Sequence, residues 1–151
     1  MNSIFHKLNL KDQSSILVSN SPESFERTLK GLKGVAVIRD MPEAKQAEFM
    51  LAFVTTQKEV DALSKSIARI AKGDAVVWFA YPKGTSKKYT CDFNRDTGWK
   101  EMGKAGFERV RQVAIDEDWS ALRFRRVEFI KTMTRQKSFA LTKAGKKKTE
   151  K

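Results

Sequence analysis

Four short runs of apolar residues constrain the fold of this chain more than any other feature. They read SILVS, VAVIR, EFMLAFV and AVVWFAY and occupy residues 15–19, 35–39, 48–54 and 75–81. The third run is continuous rather than alternating, which is typical of a parallel strand buried on both faces. Because parallel neighbours need a crossover connection between them, the runs predict βαβ units with right-handed crossovers.

The segments between these runs have the signals of helices. Thr56 and Glu59 form a T-x-x-E capping box, and Gly73 is placed to end the helix that follows. Ser21 is a candidate N-cap, with Pro22 in the first turn of an earlier helix. The apolar residues that recur at helical spacing in these two segments are Phe25, Leu29, Leu32, Val60, Leu63, Ile67 and Ile70.

The last third of the chain has a different pattern. Residues 95–105 are compatible with a helix, and two strands are predicted over residues 109–116 and 121–127. In the second of these, Leu122 and Phe124 alternate with arginines, as in an antiparallel strand with one wet face. The predicted fold is therefore an α/β, Rossmann-like three-layer sandwich of four parallel strands closed by a C-terminal antiparallel hairpin.

The predicted domain organisation is a short N-terminal flap or helix over residues 1–13, one α/β domain over residues 14–128 and a basic tail over residues 129–151. The formal charge is +12, but eight Lys or Arg against one Glu from residue 131 onward leave only +5 before it. We expect the tail to be disordered, because it has too few apolar anchors. A single cysteine, with no secretory or membrane-spanning apolar segment, favours a cytoplasmic protein.

Several stretches resemble an uncharacterised bacterial family catalogued as domain of unknown function 3052. They are KLNLKDQSSILVSNSPESF near the start, AYPK after the fourth strand, DFNRD before the late helix and DEDWSALRF in the hairpin. The resemblance extends from about Lys7 to Arg126. It implies a single domain and brings no activity with it.

The predicted strand arrangement also resembles the class I methyltransferase fold, in which a parallel array ends in an antiparallel hairpin. Such folds place a glycine-rich turn after the first strand so that the backbone can approach the ligand. Here that turn, residues 19–22, has no glycine. Asp40, after the second strand, is a candidate for binding a ribose diol as an acid does in such folds.

Ligands of open α/β sheets bind at the carboxyl ends of the parallel strands. The best candidate for a phosphate-binding loop is residues 83–88 (KGTSKK) after the fourth strand, in which Lys83, Lys87 and Lys88 offer charge; an exposed solvated loop is the alternative. Arg95 stands just before the late helix, where it either favours an anion or only pairs locally. The candidate ligand-binding residues are Asn20, Asp40, Thr55, Lys83, Ser86 and Arg95.

Catalytic groups are sparse. The only histidine, His6, lies in the predicted flap, and neither a catalytic residue nor a metal site is predicted. Trp119 in the hairpin connection is a candidate partner surface, unless it folds back on the sheet. Four lysines of the tail are candidates for binding the phosphates of nucleic acid, weakly and without reading bases. They are Lys143, Lys146, Lys147 and Lys148.

The sequence names no cofactor and leaves the oligomeric state open. The thin catalytic inventory favours a non-catalytic binding or interaction domain. Two alternatives stay open at this point. One is a small enzyme or sensor that binds an anionic or nucleotide-like ligand at the strand carboxyl ends, and the other is non-specific nucleic-acid association through the tail.

Overall fold

A six-stranded sheet forms the centre of the protein in a computed structural model that describes residues 3–39, 46–93 and 97–130. The strand order is β2-β1-β3-β4-β6-β5. The strands are β1 (Ser15–Ser19), β2 (Ala36–Ile38), β3 (Ala47–Phe53), β4 (Ala71–Pro82), β5 (Phe107–Ala114) and β6 (Trp119–Arg126).

The first four strands are parallel, as the helical or turn connections between the four apolar runs predict. Strand β6 is antiparallel to both β4 and β5, so β5 runs in the same direction as β4. Strand β6, the second strand of the β5–β6 hairpin, therefore lies between β4 and β5, and β5 forms the edge of the sheet. The predicted α/β class, with parallel strands closed by an antiparallel hairpin, is confirmed.

Four α-helices cover the sheet within the described ranges, namely α1 (Ser3–Lys7), α2 (Glu23–Lys30), α3 (Gln57–Ile70) and α4 (Lys100–Lys104). Alternate side chains of β4 enter opposite cores. Val77 and Phe79 pack with α3 and α4, whereas Val76 and Trp78 pack with α1 and α2. Helices on both faces of one sheet make three layers. Among the described helices, none is long and apolar enough to cross a membrane.

Helix α3 begins at the predicted capping box. The Thr56 hydroxyl accepts from Glu59 N at 3.2 Å, and Glu59 Oε1 accepts from Thr56 N at 3.1 Å. The helix ends earlier than predicted, because β4 starts directly at Ala71 and Gly73, with a φ of 54°, lies inside that strand.

Two other local predictions were wrong. Ser21 does not cap α2, since the N-cap is Pro22 and makes no side-chain bond, while the Ser21 hydroxyl donates to Glu26. The late helix comprises only Lys100–Lys104, because Gly98 with a φ of 92° interrupts the segment before it. The start of that predicted helix, and the predicted tail, lie outside the described residues.

The N-terminal segment packs onto the sheet. Phe5 and Leu8 are fully buried against the α2 face, and Trp78 Nε1 donates to the Leu8 carbonyl at 2.8 Å. This hydrogen bond stabilises the folded protein by about 1 kcal/mol or more, because without it both buried groups would be desolvated and unpaired. The segment is thus fixed at a definite place over β4.

Candidate functional site

A crevice is expected where β1 and β3 pair, since their following helices lie on opposite faces of the sheet. The turn after β1 supplies one wall. Asn20 in this turn has a φ of 57°, the left-handed conformation that glycine adopts most easily and asparagine tolerates. The turn therefore has a glycine-like backbone conformation although it contains no glycine.

A polar network lies at the carboxyl ends of β1 and β2. Arg39, directly after β2, forms a two-pronged ion pair with Glu26 of α2, with Nη1–Oε2 at 2.6 Å and Nη2–Oε1 at 2.9 Å. Ser21 bonds to the same carboxylate and accepts from Arg39 Nη1 at 3.2 Å. The hydrogen bonds from Arg39 and Ser21 hold the pKa of Glu26 below its usual range. An ionised carboxylate with a guanidinium beside it therefore lies next to the carboxyl ends of β1 and β2.

The β3 side is formed by the start of α3. Thr55 donates from its backbone N and its hydroxyl to Glu59 Oε1 at 2.9 and 3.1 Å, so its side chain belongs to the helix cap. Asp92 accepts from Gln57 N at 2.7 Å, and its own N donates to the Thr55 carbonyl at 3.4 Å. The loop after β4 therefore crosses the end of β3 and is fixed to the head of α3.

An open pocket of about 560 Å³ lies at the same sheet edge, beyond the end of β4. Lys83 lines it, together with residues that sequence reasoning missed. Gln112 Nε2 donates to Tyr81 OH at 3.1 Å and to Ser120 Oγ at 3.0 Å. These three side chains meet only through the register of β4, β6 and β5, which the sequence does not reveal. The one available signal is the presence of polar residues within strands.

Ser86 lies in the loop but is not among the lining residues. Its hydroxyl donates to Asp118 Oδ1 at 2.9 Å and accepts from Tyr89 N at 3.1 Å, which holds the loop against the hairpin. Trp119 is a core residue rather than a partner surface. It is 3% exposed, and its ring lies 4.9 Å from that of Tyr89 and 5.1 Å from that of Phe53. Burial of a large aromatic side chain stabilises the fold, whereas its exposure to solvent does not.

The structure brings Asn20, Thr55 and Lys83 to one edge of the sheet, after β1, β3 and β4. The other predicted site residues lie outside the described ranges. They are Asp40, Arg95, Lys143, Lys146, Lys147 and Lys148.

Cys91 in the same loop is half-buried. Burial is the main cause that raises the pKa of its thiol, and the negative charges of Asp92 and Glu59 raise it further. The thiolate is the nucleophilic form of cysteine, so this side chain is poorly suited to nucleophilic attack near neutral pH.

Solved structures of three methyltransferases share the fold. A SAM dependent methyltransferase from Aquifex aeolicus has a TM-score of 0.56 at 14% identity, covering 82% of this chain and 87% of that one. The N-methyltransferase NodS from Bradyrhizobium japonicum has a TM-score of 0.52 at 11% identity, with coverages of 83% and 93%. A putative type 11 methyltransferase from Sulfolobus solfataricus has a TM-score of 0.50 at 12% identity, with coverages of 83% and 78%. At such identities the likeness shows the fold alone.

These comparisons contradict one prediction and leave two others without support. No protein-family model and no curated protein matches the chain, so the resemblance to domain of unknown function 3052 is unsupported. The prediction of a non-catalytic binding or interaction domain is contradicted, because the solved structures named above, which share the fold, are of methyltransferases. Nucleic-acid association through the tail finds no support either.

Proposed function

We propose that the protein is a methyltransferase that binds S-adenosylmethionine in the crevice between β1 and β3. The main support is that the β1–β3 switch point lies at the same sheet edge as the open pocket, in a fold shared with methyltransferases. A methyl transfer needs a donor and an acceptor held within reach of each other. A donor at the switch point and an acceptor in the pocket would meet that need.

The residues around the crevice fit the donor. Asn20 has its glycine-like conformation directly after β1, where methyltransferase-like folds place a glycine-rich turn. Glu26 provides a carboxylate that can accept hydrogen bonds from the two hydroxyls of a ribose. Because Glu26 and Arg39 are 35% and 50% exposed, their ion pair contributes little stability, and a ligand can replace it at small cost.

The donor supplies an electrophilic methyl group on a positively charged sulfur. The acceptor's lone pair forms the new bond to the methyl carbon, the carbon–sulfur bond breaks with its electrons returning to sulfur, and the acceptor's proton leaves to solvent. Positioning is the main demand on the protein in such a displacement. A chain with few acid–base groups can therefore perform it.

Calorimetric titration with S-adenosylmethionine and S-adenosylhomocysteine tests the proposal. In thermal unfolding, saturation at about 100 times the dissociation constant should add roughly 2.7 kcal/mol to the free energy of unfolding and raise the Tm by roughly 5 to 10 °C. Glu26→Gln should weaken binding about tenfold or more. Glu23→Gln, an exposed first-turn glutamate of the same helix outside the network, should leave it unchanged. Absence of binding by the unmodified protein at millimolar donor would overturn the proposal.

A further inference from the structure

The floor of the pocket beyond β4 is a buried polar cluster. Tyr81 and Ser120 are only 5% and 6% exposed, and both accept from the Gln112 side-chain amide. The Ser120 hydroxyl has no acceptor for its own proton among the described contacts. An apolar ligand resting here would desolvate the Ser120 hydroxyl without accepting its proton, which is costly. The floor is therefore suited to a ligand that accepts hydrogen bonds.

The rim of the pocket adds positive charge. Lys83 is half-buried, its backbone N donates to the Asp118 carbonyl at 2.8 Å, and Ser86 N donates to the Lys83 carbonyl at 3.0 Å to close a turn. No carboxylate in the described part of the chain lies within ion-pair distance of its ammonium group. Gly84 and Thr85, between the two ends of this turn, are exposed at the pocket.

The lining therefore combines one cation with three hydroxyls, from Tyr81, Thr85 and Ser120, and has no acidic side chain. The Gln112 amide donates to two of these hydroxyls and so orients them. Oxyanions such as phosphate and carboxylate accept several hydrogen bonds and are stabilised by a nearby ammonium group. A cationic ligand would meet only Lys83 as a charged neighbour and would be repelled. The charge and the donors thus favour the same class of ligand.

We propose that this pocket binds an oxyanion, phosphate or carboxylate, carried by the methyl acceptor. The role as an acceptor site rests on the proposed function; the binding of an oxyanion does not. The pocket lies over β4, β6 and β5, about two strand intervals or roughly 10 Å from the β1–β3 crevice. At that separation the oxyanion is the group by which the acceptor is held, and the nucleophilic atom lies several bonds away from it.

The first test is a titration of ¹⁵N-labelled protein with sodium phosphate and with sodium acetate, against sodium chloride at matched ionic strength. The side-chain amide of Gln112 and the backbone amides of Gly84 and Thr85 should shift saturably with at least one oxyanion and not with chloride. The phosphate and acetate arms show which oxyanion is preferred. Shifts that are absent, non-saturable or spread over all lysine-rich surfaces would overturn the inference.

Two variants sharpen this test. Lys83→Met keeps the aliphatic stem and removes the charge, and it should weaken oxyanion binding about tenfold or more. Lys87→Met, an exposed lysine of the same loop that is not among the pocket-lining residues, should change it less than twofold. Equal losses in the two variants would mean that only the general positive potential is sensed, and the inference would be wrong.

Donor binding separates this inference from the proposed function. Lys83→Met should retain the affinity for S-adenosylmethionine, and Glu26→Gln should retain the affinity for the oxyanion. Oxyanion binding without donor binding would refute the proposed function and leave the anion site standing. Donor binding without any oxyanion shift would refute the anion site alone.

Discussion

Replacement of Gly98 by alanine should destabilise the protein more than an equivalent change at Gly106. Both glycines have nearly the same backbone conformation, with φ values of 92° and 91°. A Cβ at Gly106 would meet nothing within 4 Å, whereas one at Gly98 would collide with Gln57 Oε1 and lie 2.9 Å from Phe93 Cβ. The pair therefore separates backbone strain from steric overlap.

The expected magnitudes follow from these contacts. A positive φ costs an L-residue roughly 1–2 kcal/mol, and alanine recovers roughly 0.4–1 kcal/mol by restricting the unfolded chain. Gly106→Ala should thus lose about 1 kcal/mol of the free energy of unfolding. Gly98→Ala should lose roughly 1–3 kcal/mol more, as overpacking does in a close-packed region. Gln57 can swing aside, but Phe93 Cβ belongs to a side chain that is only 8% exposed and cannot.

Urea unfolding of both variants, followed by circular dichroism, gives the two free energies. A difference in the free energy of unfolding below about 0.5 kcal/mol would refute the steric argument, because the effects of independent substitutions are comparable only to within about that amount. Adding Gln57→Ala to Gly98→Ala should restore only part of the loss. Full restoration would show that Phe93 yields and that the loop after β4 is held less firmly than its bonds to α3 indicate.

Two further predictions concern a carboxylate near the sheet edge and two indole groups in the core. Burial alone raises the pKa of Glu59, but the hydrogen bonds from Thr55 and Thr56 outweigh it and hold the value below its usual 4.5. This stabilisation is complete above pH 4.5 and is lost as pH falls through the lower folded value, so Glu59→Gln should flatten the acid loss of stability in urea titrations between pH 3 and 7. Trp78→Phe should cost more than Trp119→Phe in the same assay, because Trp78 Nε1 donates to a buried carbonyl while Trp119 Nε1 has no partner among the described atoms. Equal costs would mean that the loss of ring volume dominates both.

Local signals predicted most of the fold because each one depends on a few neighbouring residues. The apolar runs and the helical or turn connections between them predicted four parallel strands, and the Thr56–Glu59 pair predicted the start of α3. Predictions failed where a tertiary contact overrides a local preference. Ser21 has a good N-cap side chain, but Glu26 and Arg39 bind its hydroxyl instead. The late helix is short because Gly98 must approach Gln57 and Phe93 closely.

The candidate site depends on two features that a linear reading separates. Residues 19–22 contain no glycine, yet Asn20 adopts the left-handed conformation without one. The pocket floor combines Tyr81, Gln112 and Ser120. Gln112 lies 31 residues along the chain from Tyr81 and 8 from Ser120, and the three side chains meet only because β6 pairs with β4. Turn conformation and strand register are properties of the folded chain. A sequence that lacks the usual glycines and catalytic motifs can therefore still place an ionised carboxylate, an ammonium group and a hydroxyl-lined pocket along one edge of a sheet.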